Sequence, residues 1–204
     1  SMSYELFLEP FMVPAVLHLL LCCCVAFAIG QEFKRKTLNK WVDSKHIISS
    51  LLGKILTYVF IFCAWTGCWM FWLAHIRGYF IAGSLSLILL AQFLLYFSYA
   101  VISSTVVLAT KDLPKTFGFI ALYGGSSPSF SGITLPLNNA PAFTQFWSMI
   151  IPYTPYAKLQ TEQWVIGSDI SVSLIPFGIL VIFSALYLGL SIRLLKKNIQ
   201  EQNQ

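Results

Sequence analysis

Long apolar runs separated by short polar or basic breaks make up almost the whole chain. A helix of about 20 apolar residues crosses a hydrocarbon core of about 30 Å. Five stretches read as such spans, at about 11–30, 47–73, 81–109, 116–137 and 172–192. Pro14 falls where a first helical turn would tolerate it. The second and third stretches amount to roughly 40 Å of helix at 1.5 Å per residue, more than the core needs, so tilt or projection beyond the bilayer is expected. The stretch 116–137 is the weakest of the five, because Gly124, Gly125, Ser126, Ser127 and Pro128 interrupt it. The pattern predicts an all-α polytopic integral membrane protein of about five transmembrane helices, forming one domain over 8–197 with a polar tail at 198–204.

The basic residues orient this bundle. Six Lys or Arg lie between the first two spans or just inside the second (Lys34, Arg35, Lys36, Lys40, Lys45, Lys54). Two more, Lys111 and Lys115, separate the third from the fourth, and Arg193, Lys196 and Lys197 follow the fifth. These are eleven of the thirteen, and only Arg77 and Lys158 fall on the other side. Short loops rich in Lys and Arg stay in the cytoplasm. The N-terminus is therefore expected outside and the C-terminus in the cytoplasm. Trp65, Trp69, Trp72, Trp147 and Trp164 then gather toward the outer face as an interfacial belt. An odd number of spans beginning outside, with no basic segment ahead of the first, points to a further span upstream of Ser1.

Composition removes the alternatives to a membrane protein. The chain is 57% hydrophobic and 10% charged, with mean hydropathy +0.73. A soluble surface draws on about 25% charged residues, so a soluble enzyme, a disordered tail and a nucleic-acid-binding domain are excluded. The five cysteines sit in apolar runs without metal-ligand spacing and read as small helix fillers.

The spans also limit the chemistry. No Asp or Glu lies within any of the five, whereas ion-coupled carriers rely on intramembrane carboxylates or comparable relays. There is no phosphate-binding loop, H-E-x-x-H or paired Asp motif. No catalytic residue, metal ligand or cofactor is assigned, and His18 reads as a hydrogen-bonded contact between helices. Work done by this chain must draw its energy from another protein.

Three segments carry more information. Residues 31–46 place Phe33, Thr37, Leu38, Trp41 and Val42 at helical spacing among charges, predicting a cytoplasmic amphipathic helix. It would serve either as a lipid anchor or as a docking helix for a partner. Residues 123–136 are too rich in Gly, Ser and Pro to face lipid, so this backbone should border a cavity or a partner. Its candidate pathway or interface positions are Gly124, Gly125, Ser126, Ser127, Pro128, Ser131 and Gly132. Residues 138–170 read as two short interfacial helices on the outer side, hinged at Pro152 and Pro155.

With these features in place, the chain resembles the ABC type 2 permease family, in its drug- and lipid-exporter-like branch. The matching residues are Glu32 through Lys36-Thr37-Leu38, where the family commonly has Gly-Thr and this chain has Lys36; Gly53-Lys54 opening the next span; and Ser131-Gly132, Leu135-Pro136, Pro141, Pro152 and Thr154-Pro155-Tyr156. The basic tail from Arg193 to Lys197 also matches. The resemblance implies a permease subunit in a bacterial inner membrane, paired as a homo- or heterodimer with a second permease copy. It also implies a separate ABC ATPase subunit that holds ATP and magnesium. The family's coupling helix falls on 31–46, which makes Glu32, Lys36, Thr37, Leu38, Lys40, Trp41, Val42 and Asp43 the candidate ATPase contacts. Family members have six spans, so the implied missing piece is the first span with its extracytoplasmic domain. The implied cargo is a hydrophobic drug, a lipid or a glycolipid. A membrane scaffold or assembly protein without a cargo is the alternative from another class.

Overall fold

The computed structural model describes residues 4–42, 46–134 and 137–202; Asp43, Leu135 and Pro136 lie outside the described residues. In chain order the helices are α1 (Tyr4–Lys34), α2 (Leu38–Trp41), α3 (Ile47–His75), α4 (Leu85–Thr110), α5 (Leu113–Tyr123), α6 (Ser127–Phe130), α7 (Ala142–Ile150), α8 (Tyr153–Gln160) and α9 (Ile170–Gln202), with a π-helical turn at Thr161–Ile166 between α8 and α9. The protein is all-α and polytopic. Among the described residues, four helices are long and apolar enough to cross a membrane: Leu8–Lys34, Ile47–His75, Leu85–Thr110 and Ile170–Gln202.

α4 is the centre of the bundle. It is apolar on every side, which is the pattern of a helix enclosed by others, and α1, α3, α5, α8 and α9 all pack on it. Ser84 caps its first turn by accepting the Leu87 N–H, and Lys111 closes its last turn in a left-handed conformation, φ 53°. Small hydroxyl residues let its neighbours approach and bond across the seams, a common device between helices in lipid. Ser98 pairs with Ser184 at 2.8 Å, and Thr105 with Ser191 at 2.8 Å, one heptad apart in both α4 and α9. Ser103 donates to the Cys22 carbonyl of α1 at 2.7 Å.

The stretch expected as a continuous fourth span is instead broken. α5 ends at Tyr123, and the short α6 starts four residues later. The cause is Pro128, which has no N–H and whose ring would collide with the carbonyl one turn earlier, that of Gly124. The Gly124 carbonyl takes the Ser127 N–H instead, at 3.1 Å. The broken rod runs antiparallel to α1: Leu113 lies against Gly30, Gly124 meets His18, and Pro128 shares a crevice with Phe11 and Met12. From Leu113 to Phe130 it is roughly 27 Å long at 1.5 Å per residue.

Three further expectations need correction. Pro14 lies in the interior of α1, since that helix begins well ahead of the apolar run. The segment 138–170 is not a pair of surface helices. α7 exposes Phe143, Phe146 and Met149, but α8 buries Tyr153, Tyr156, Ala157 and Leu159 inside the bundle. The chain turns at Pro152 alone; Pro155 sits within the first turn of α8, where its missing N–H has no helical partner to lose. Finally, the tail beyond 198 is helical to Gln202 and attached, with the Asn198 amide donating to the Leu108 carbonyl at 2.9 Å.

Candidate functional site

The first candidate region is the basic end of the bundle. The chain leaves α1 through Lys36, which adopts the left-handed conformation (φ 55°) that favours glycine. Thr37 then folds back on α1, its N–H donating to the Glu32 carbonyl at 2.9 Å and its hydroxyl to the Glu32 carboxylate. Lys54, about two turns into α3, joins the parts. Its ammonium reaches Glu32 at 2.5 Å and the Ala28 carbonyl at 3.1 Å, and it lies over the Trp41 ring at 4.0 Å. Leu38 and Val42 are buried beneath this arrangement, while Lys36 and Lys40 are exposed.

The expected single amphipathic helix over 31–46 is therefore resolved into the end of α1, a left-handed turn and the four-residue α2. A one-turn helix without a side-chain cap does not stand on its own propensity; buried Leu38 and Val42 and the Lys54 contacts hold it. The structure brings Glu32, Thr37, Leu38, Trp41 and Val42 together. Lys36 and Lys40 point away as charges on the rim. The residue that connects them, Lys54, was legible as a single cation near the start of an apolar helix.

The second region is the break between α5 and α6. Gly124 is held by close approach: a Cβ there would stand 2.7 Å from Leu19 Cδ2 and 2.9 Å from the Ile120 carbonyl. Ser127 bonds to the Tyr99 hydroxyl at 2.6 Å, and Ser126 accepts the Trp147 indole N–H at 2.9 Å. His18, fully buried, places Nδ1 3.1 Å from the Pro14 carbonyl and Nε2 3.2 Å from the Gly124 carbonyl. Its ring lies against Tyr99 and Tyr153, tilted by 41° and 36°, with centroids 4.3 and 5.4 Å away. Both ring nitrogens face carbonyl acceptors, and a neutral imidazole carries one N–H; placed on Nε2, it donates to Gly124 and ties α1 to the broken helix.

The predicted pathway positions thus divide. Gly124, Ser126 and Ser127 bind the break to α1, α4 and α7, and Gly125 is exposed. Ser131 and Gly132 (φ 84°) line an open cleft of about 460 Å³ together with Asn138, Thr154, Lys158, Thr161 and Glu162. The glutamine that holds this end together, Gln163, had no signal in sequence. Its amide carbonyl accepts the Ser84 N–H at 2.9 Å, and its NH₂ donates to the Ser168 carbonyl at 3.0 Å and to Ser173 at 2.9 Å.

A helical bundle with four helices long and apolar enough to cross a membrane, among the described residues, and one basic end defines a multi-pass membrane protein. The profile of the ABC-2 family transporter proteins matches residues 1–193, and the chain belongs to that family. It is a membrane-spanning ABC permease subunit, a transport component rather than an enzyme. Comparison with curated proteins finds no match.

Proposed function

We propose that this permease exports a hydrophobic or amphiphilic substrate, a drug, lipid or glycolipid, using ATP and magnesium held by a separate ABC ATPase subunit. The observation that carries the reading is the Lys54 latch. Through Glu32, the Ala28 carbonyl and Trp41, one ammonium ties the turn at the basic end to both α1 and α3. Force applied to that turn moves two long helices at once. The exposed Lys36 and Lys40 supply the charged rim for a docking ATPase, and Asp43 follows them in the sequence.

In this reading the basic end faces the cytoplasm of a bacterial inner membrane, as the charge asymmetry requires. The rod α5–α6 crosses as a broken fourth span, between α4 and α9. A second permease copy covers the apolar stripe of Met12, Val16 and Leu20 on α1, with Phe119 and Leu122 on α5, all exposed in the single chain.

Co-purification of the ATPase with membrane-inserted wild-type and Trp41→Ala permeases tests the coupling. Removing the ring that Lys54 covers unseats the turn, and loss of a central aromatic costs about 2 kcal/mol or more of partner binding. ATPase recovery and export should fall together. Unchanged recovery with unchanged export would defeat the assignment.

A further inference from the structure

Away from the basic end, a second cleft of about 310 Å³ opens between α7, α8 and α9. Its wall is apolar, formed by Met149, Pro155, Ile175, Pro176 and Ile179, and its edge carries Ser148, Thr154 and Lys158. Met149, Ile175 and Ile179 are themselves exposed, so the cleft opens sideways, onto the face that meets hydrocarbon. The volume is at the lower limit of small-molecule sites, about 300–1,000 Å³.

The polar edge is short of acceptors. The Thr154 hydroxyl is buried and has no hydrogen-bond partner, an unusual state for a polar atom away from water. Lys158 makes no ion pair among the described residues, although Glu162 stands one turn further along the chain. That carboxylate instead takes the Ser173 hydroxyl at 2.7 Å and is nearly enclosed. The Ser148 hydroxyl is taken up by the Gln145 carbonyl at 3.0 Å in a buried side chain. The exposed polar group of the edge is the Lys158 ammonium, which offers three donors and no acceptor. A cation at the rim and an apolar trough beside it call for a ligand with an oxyanion at one end and a hydrocarbon chain at the other.

We propose that this cleft binds an anionic amphiphile, its phosphate or carboxylate oxygens on Lys158 Nζ and its chain along Met149, Ile175 and Ile179. This goes beyond the export reading, because binding is a property of the permease alone and is measured without the ATPase. Failure of ATPase recovery would leave it untouched, and failure of binding would leave the coupling untouched.

The test uses the purified full chain in a neutral detergent and counts bound molecules by native mass spectrometry. The probes are lysophosphatidylglycerol, the uncharged monoacylglycerol of the same chain length and inorganic phosphate. Lysophosphatidylglycerol should bind about tenfold more tightly than the monoacylglycerol, the size of one hydrogen bond to a charged group. Lys158→Gln should remove that preference and leave the monoacylglycerol unchanged, and Lys158→Arg should keep it. Ile179→Trp, which fills the trough, should lower retention of both lipids. Thermal unfolding in the same detergent confirms that the variants at exposed Lys158 are folded. Equal affinity of wild type and Lys158→Gln for lysophosphatidylglycerol would overturn the proposal. So would displacement of the lysolipid by inorganic phosphate at similar concentration, since a free anion would then be the true ligand.

Discussion

The two ends of the bundle are fastened by different chemistry. At the basic end charges do the joining: Lys54 holds Glu32 at 2.5 Å, and Lys111 holds Glu201 at 2.5 Å. At the opposite end Arg77 and Glu9 approach to 3.8 Å, and much of the fastening falls to an uncharged group, beside the Glu162 carboxylate that accepts the Ser173 hydroxyl. Gln163 uses its carbonyl and both amide donors on Ser84, Ser168 and Ser173, and its backbone carbonyl accepts the Gly83 N–H at 2.7 Å. A partly solvated ion pair tolerates rearrangement, because water replaces whatever is lost. A buried amide does not, because removing it strands donors and acceptors that water cannot reach. The basic end should therefore be sensitive to salt and lenient to substitution, and the other end the reverse.

The sharpest way to break this contrast is Gln163→Leu. The side chain is fully buried, and the substitution strands the Ser84 N–H and removes the partner that Ser173 and the Ser168 carbonyl share. Leaving buried groups unpaired costs about 1–3 kcal/mol each, so a loss of about 3 kcal/mol is expected. It would appear as a lowered unfolding midpoint in detergent, unchanged between low and high salt. A midpoint within error of wild type would show that the loop and π-helical turn are held by packing alone.

Lys54→Ala should cost less, about 1 kcal/mol, because Glu32 remains partly solvated when its partner leaves. The informative quantity is the coupling in a double-mutant cycle with Glu32→Gln. A coupling that shrinks in high salt places the pair with the solvated ion pairs. One that persists would mean that the Ala28 carbonyl and the Trp41 ring shield it, and the two ends would then differ less than their chemistry implies.

How much of this was legible beforehand follows the same division. Hydropathy alone located the long helices, since only length and apolarity are needed to mark them, and the basic residues marked one end. The weak stretch at 116–137 showed its own interruption through Gly124 to Pro128, and His18 was legible as a contact between helices, yet its partner Gly124 and the Tyr99 that bonds Ser127 carry no local sign of the pairing. The segment 31–46 was misread as one helix because its apolar spacing is helical. What breaks it is a left-handed residue, and the chain has lysine at that position rather than a glycine that would advertise it. The family resemblance held the missing cue, since its Gly-Thr falls on Lys36-Thr37. Gln163 was silent because nothing in sequence separates an amide that bonds three partners from one in a solvated loop.

The smallest expected effect is at the far end of α9. Lys111 and Lys197 both approach Glu201, at 2.5 and 3.8 Å, and all three side chains are well exposed. Such pairs are attractive only while solvent screening is weak, and the cost of ordering long side chains offsets most of the gain. Folding raises the electrostatic favour of an ionised Glu201, its carboxyl sitting among cations, but water competes for every one of those contacts. Glu201→Gln should therefore shift the unfolding midpoint slightly at low ionic strength and not at all in high salt, with Asn198 still anchoring α9 to the Leu108 carbonyl. A shift that survived high salt and matched that of Lys54→Ala would mean that the end of α9 is clamped as firmly as the turn beside α1. The latch would then extend across the whole basic end, and Lys54 would no longer be its single hub.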